Sequence, residues 1–161
     1  MPTVYHEAFH QYLEAYMGKG APIPTWYNEG LAMYYEGMQK SRQTKKLDYK
    51  LIDNRKIGRL KEAIFTRSAL PLQKLVDATH AEFHEKEKEE LYYSQSFAFM
   101  YFLMQGLGGK QVLDFAKELK KSKDVSLADD KIFGKKRKSL AAIEKKWKEY
   151  VLGLKLEEPK P

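Results

Sequence analysis

The sequence predicts an all-α fold, and three observations carry that expectation. Wherever apolar residues show a clear period it is helical, never alternating. The breaks between these stretches fall at Gly18 and Gly20, at Pro22 and Pro24, and at Gly106 to Gly109, as helix ends require. No segment reads as a strand, and neither an internal repeat nor a domain boundary is visible. The 161 residues are 43% apolar and 13% aromatic, which excludes wholesale disorder. A chain of this length can bury about 70% of its extended surface. One domain over 1–156 and a disordered tail over 157–161 are therefore expected.

The first helix starts near Thr3, a plausible N-cap, and stops at Gly18 or Gly20. Its apolar residues (Val4, Tyr5, Ala8, Phe9, Tyr12, Leu13, Tyr16, Met17) run almost all the way round, which predicts burial on every side. The turn Ala21-Pro22-Ile23-Pro24 leads to Thr25, which caps a second helix reaching about Gly37. Residues 38–54 are polar, lysine-rich and aperiodic, and read as a surface loop. Helices follow near 55–66 and 71–78. The charged stretch His80–Glu90 reads as a loop or an exposed helix start. Leu91 to Gln105 is strongly apolar and predicts a central helix. Helices near 110–121 and 139–154 complete the set, with Leu140, Ile143, Trp147 and Val151 at helical spacing in the last.

Composition closes several routes. With no cysteine there is no disulfide framework, thiolate zinc site, iron–sulfur cluster or thiol nucleophile. The longest apolar run, Phe97 to Met104, is far short of the roughly 20 residues of a membrane span. No signal peptide is visible at the start of the sequence, and the chain reads as soluble. The net charge is +7, unevenly placed: residues 1–40 hold two lysines against four glutamates, while residues 107–161 carry most of the basic excess. The tightest cluster, Lys135-Lys136-Arg137-Lys138, has no aromatic for base stacking. A basic nucleic-acid-binding helical domain is accordingly the least favoured reading, and no nucleic-acid partner is expected.

The chemistry sits in His6-Glu7-Ala8-Phe9-His10, an H-E-x-x-H pattern on the first helix. Spacing i,i+4 puts both imidazoles on one face, within reach of a single ion, with Glu7 beside that face to accept a proton from activated water. Tetrahedral zinc needs a third protein ligand. Eighteen residues separate His10 from Glu29, and the intervening turn lets the second helix fold back so that Glu29 can meet the metal. Glu14, one turn beyond His10, would converge poorly. The alternative is a buried helix whose histidines bond to backbone or to Glu14. Glu36 shares a helical face with Glu29 and is open to either an outer-shell or a solvated role. A second pair, His80 and His84, has the same i,i+4 spacing in a highly charged stretch; it reads as a solvated face, with a surface metal site as the alternative.

The segment from His6 to Glu36 resembles the gluzincin metallopeptidases, and the spacing with the Asn28-Glu29-Gly30 run is most similar to their aminopeptidase-type branch. Tyr92-Tyr93-Ser94-Gln95-Ser96 before an apolar helix, and Ile132-Phe133-Gly134 with Ile143 to Trp147, look like parts of bacterial peptidase-MA-like domains. The resemblance implies the helical portion of a zincin-like catalytic domain, Zn2+ as cofactor, a peptide or protein substrate, and export from the cytoplasm. It implies His6, His10 and Glu29 as ligands, Glu7 as general base, and a tyrosine assisting the oxyanion, for which Tyr93 is preferred over Tyr92. Where thermolysin-like members carry an aspartate four residues after the ligand glutamate, this chain has Met33. Gluzincins also place a β-sheet before the motif helix, whereas five residues precede His6 here. The resemblance thus implies either a piece of a longer protein or a missing substrate wall, and with the latter a catalytically inactive binding or structural module.

Overall fold

Two helices and the glycine turn between them set the geometry on which the candidate site rests. In the computed structural model, which describes residues 4–40, 47–49 and 54–156, α1 spans Val4–Met17 and α2 spans Thr25–Glu36. Between them Gly18 (φ +93°) and Gly20 (φ +76°) take left-handed backbone that side chains disfavour. The chain reverses there and lays α2 antiparallel on α1. Thr25 is the first helical residue of α2 and not its cap. Pro24 (φ −60°, ψ 140°) holds that position, its ring already fixing the extended approach to the first turn.

Residues 38–54 are not loop throughout. β1 (Met38–Lys40) and β2 (Leu47–Tyr49) pair antiparallel, with Met38 opposite Tyr49. Strands of three residues are too short to show a period in the sequence. The expectations for Thr3 as a cap, for the rest of that loop and for the tail 157–161 lie outside the described residues.

The remainder is helical, so the fold is all-α as predicted. α3 is Asn54–Phe65, α4 Leu72–Asp77, α5 His80–Phe83 and α6 Glu89–Tyr101, which runs on into a π-helical turn, Phe102–Gly106. α7 (Lys110–Ser122) and α9 (Leu140–Gly153) lie where the sequence puts them. Between them is α8, Val125–Phe133, which the sequence reading missed. Its signals are a capping aspartate and a terminal glycine: Asp124 Oδ1 accepts from Ser126 N–H at 2.8 Å, and Gly134 ends the helix. Asp129-Asp130-Lys131 interrupts the apolar spacing and hides them. No helix among the described residues is long and apolar enough to cross a membrane.

α6 is the axis of the core, buried from Ser94 to Tyr101. Around it Trp26 packs on Phe99 (centroids 5.4 Å apart), Tyr27 stacks on Phe115 (4.4 Å), and Phe99 meets Trp147 edge-on (5.5 Å). Gln95, within the Tyr92–Ser96 motif, is structural: its amide accepts from Leu70 N–H at 2.7 Å and donates to Leu70 C=O at 3.0 Å. Burial of α1 on every side does not hold. Val4, Tyr5 and Tyr12 are 83%, 76% and 63% exposed, because α2, with a lesser contribution from α7, covers a single face.

α2 approaches α6 most closely at Gly30, where a Cβ would stand 2.9 Å from Ser96 O and 3.2 Å from Met100 Cβ. Backbone cannot yield as a flexible side chain would. Gly30→Ala should therefore destabilise the protein by about 1–2 kcal/mol in chemical denaturation, even though alanine is favoured by about 1 kcal/mol inside a free helix. A neutral or stabilising result would contradict the close approach.

Candidate metal centre

His6 and His10 stand one turn apart on α1, their rings edge-on with centroids 4.6 Å apart. Glu29 reaches across from α2, its Oε2 3.3 Å from His6 Nε2 and its Oε1 3.7 Å from His10 Nε2. One ligand atom from each of the three lies within 4.8 Å of the others. His6 is buried, and His10 and Glu29 are half-buried.

The opposite ring nitrogens are engaged elsewhere. His6 Nδ1 is 3.3 Å from Glu36 Oε2, and His10 Nδ1 is 2.8 Å from Asn28 Oδ1. A carboxylate and an amide oxygen only accept, so each Nδ1–H donates to them, which leaves each Nε2 on the Glu29 side to carry a proton towards that carboxylate or to bind a metal in its place. The alternative in which the histidines bond to Glu14 is not what the structure shows; Glu14 is exposed on a nearby cleft. Glu36, whose role the sequence left open, lies against His6 Nδ1. Asn28 was not singled out, although its place beside Glu29 in Asn-Glu-Gly was the available signal. Met33, at the position of the absent aspartate, is a core residue.

The donor set fits zinc. Two imidazoles and one carboxylate, each imidazole steadied through its second nitrogen, are a donor set found in open catalytic sites. The electrostatics are also those of a cation site. His6 has its pKa raised, first by the hydrogen bond to Glu29, with the charges of Glu29 and Glu36 adding to the rise and burial opposing it. The pocket between the helices thus draws a positive charge onto His6 Nε2.

Glu7, exposed on α1, lines a cleft of about 340 Å³ together with His10, Gln11, Glu14, Ile23 and Asn28. A larger apolar cavity of about 490 Å³ lies on the opposite flank of α1, between Phe9, Tyr12, Tyr16, Tyr35 and Leu113, and contains none of the three ligands. The two tyrosines separate clearly. Tyr92 is 1% exposed and packs on Phe83 in the core. Tyr93 is half-buried, and its phenol is pushed up to about 12 by burial and then by the charges of Glu29 and Glu89.

Fold and site together define an all-α protein with a two-histidine, one-carboxylate cluster able to take a metal ion. The chain belongs to the family described as "Protein of unknown function (DUF1570)", whose model matches residues 1–127, a span holding His6, Glu7, His10, Glu29 and Tyr93. No curated protein and no solved structure matches it.

If Asn28 and Glu36 orient the ligands, Asn28→Ala and Glu36→Ala should each weaken zinc binding by about 10- to 100-fold in a chelator competition. Affinities equal to the wild type would show that the imidazoles are held by α1 alone.

Proposed function

We propose that the chain hydrolyses peptide bonds as a zinc-dependent peptidase of the gluzincin type. The observation that carries this reading is the convergence of His6 Nε2, His10 Nε2 and a Glu29 carboxylate oxygen, with both Nδ1 atoms turned away to Glu36 and Asn28. His6, His10 and Glu29 would hold the ion. When bound, zinc supplies Lewis acidity, polarising a peptide carbonyl and acidifying water near neutral pH. Glu7 follows His6 directly in the chain and faces an open cleft, so substrate and water can reach its carboxylate. It takes the proton from the attacking water and later delivers it to the leaving amine. Tyr93 keeps its phenolic proton at neutral pH and donates a hydrogen bond to the carbonyl oxygen as negative charge builds there.

A second reading has one observation in its favour. The outer face of α1 is bare at Val4, Tyr5 and Tyr12, and the strands among the described residues, β1 and β2, are three residues each, short for a wall that holds an extended peptide. A zincin-like module that keeps its metal site and no longer catalyses would look the same.

Glu7→Gln distinguishes the two. On the peptidase reading the zinc-loaded variant retains its metal and loses hydrolysis of an unstructured protein substrate by about 10²- to 10⁴-fold. Cleavage at the wild-type rate would remove Glu7 as the base. A wild type that binds zinc and cleaves nothing would favour the inactive module.

A further inference from the structure

A second pair of imidazoles converges away from α1. His80 opens α5 and His84 follows its last residue, one turn on and on the same face. The turn that carries them is pinned by a capping box: Thr79 Oγ1 accepts from Glu82 N–H at 3.2 Å, and the Glu82 carboxylate accepts from Thr79 N–H at 2.8 Å. The Nε2 atoms of His80 and His84 are 3.2 Å apart. His84 Nδ1 lies 3.0 Å from Glu89 Oε1. Since that carboxylate only accepts, His84 donates through Nδ1, which leaves its Nε2 facing His80. Two ring nitrogens this close enclose one position for a cation, which a shared proton or a metal ion can fill.

We propose that His80 and His84 form a second site for a late first-row divalent cation, of which zinc, nickel and copper are the candidates by ligand type. Imidazole–zinc bonds of about 2.0–2.1 Å at a tetrahedral angle place the two nitrogens about 3.3 Å apart. The observed 3.2 Å is close to that bite. Glu89 supplies the outer hydrogen bond that fixes the His84 ring, as Glu36 and Asn28 do at the first centre. The surrounding segment leans acidic as well: Glu85 is paired with Lys88 at 2.9 Å and Glu90 with Arg59, which leaves Glu82, Glu87 and Glu89 against Lys86. Both histidines are exposed, so water completes the shell and the ion exchanges with solvent. With two protein ligands instead of three, the site is the weaker of the two. None of its residues belongs to the first centre, although the Tyr93 ring lies 6.1 Å from that of His84.

The test uses the full chain already holding one equivalent of zinc, titrated with more zinc in a calorimeter beside a His80→Ala/His84→Ala double variant. The wild type should take up a second, weaker ion, and the double variant should lose that uptake while keeping the first. Circular dichroism and an unchanged metal-free melting temperature check that the variant, altered at two exposed residues, is folded. A His6→Ala/His10→Ala variant should keep the weaker uptake, which separates this site from the fate of the first. Equal second uptake in the wild type and the His80→Ala/His84→Ala variant, or none in the wild type up to millimolar zinc, overturns the proposal.

Discussion

Glu29 can meet His6 and His10 only because α2 lies antiparallel on α1 at close range, and several separate features of the chain serve that seating. Gly18 and Gly20 let the backbone reverse between the helices. Gly30, the residue after Glu29, lets α2 sink against α6 until a methyl group would collide with Ser96 O. Trp26 and Tyr27 then anchor the start of α2 against Phe99 and Phe115. Small residues at the close approach and large ones at the anchor fix α2 against α6 and α7, and with it the position of the Glu29 carboxylate. Interiors packed at crystal density leave little room for drift.

That rigidity matters because the three side chains are costly to hold together. A half-buried carboxylate beside two imidazoles loses hydration that must be regained from its neighbours. Without a metal the compensation comes from the His6 and His10 nitrogens, and the raised proton affinity of His6 is its signature. A divalent ion would take over the same position, so proton and metal compete for His6 Nε2. The outer contacts to Glu36 and Asn28 are undisturbed by that exchange, since they engage only Nδ1.

Much of this was legible in the sequence because it rests on local periodicity. The i,i+4 histidines, the glycine turn and the acid on the returning helix are all short-range patterns, and α1, α2, α6, α7 and α9 followed from apolar spacing. What escaped depends on contacts that periodicity does not encode. α8 is announced by Asp124 and Gly134 and not by an apolar stripe. The exposure of Tyr5 and Tyr12 reflects what packs on α1, and an apolar residue carries no record of that. Asn28 reads as a mid-helix polar residue until His10 is placed opposite it, and Gln95 looks like motif until Leu70 is seen between its two amide atoms.

The central claim is that α1 and α2 bring His6, His10 and Glu29 to one ion. Its most direct test is the zinc content of protein purified without chelator or histidine tag and desalted, measured beside Glu29→Ala and the His6→Ala/His10→Ala variant. The account requires about one tightly held zinc per chain in the wild type, none in the double variant and a marked loss in Glu29→Ala. Zinc retained equally by all three proteins, or absent from the wild type after zinc is added back, would contradict it.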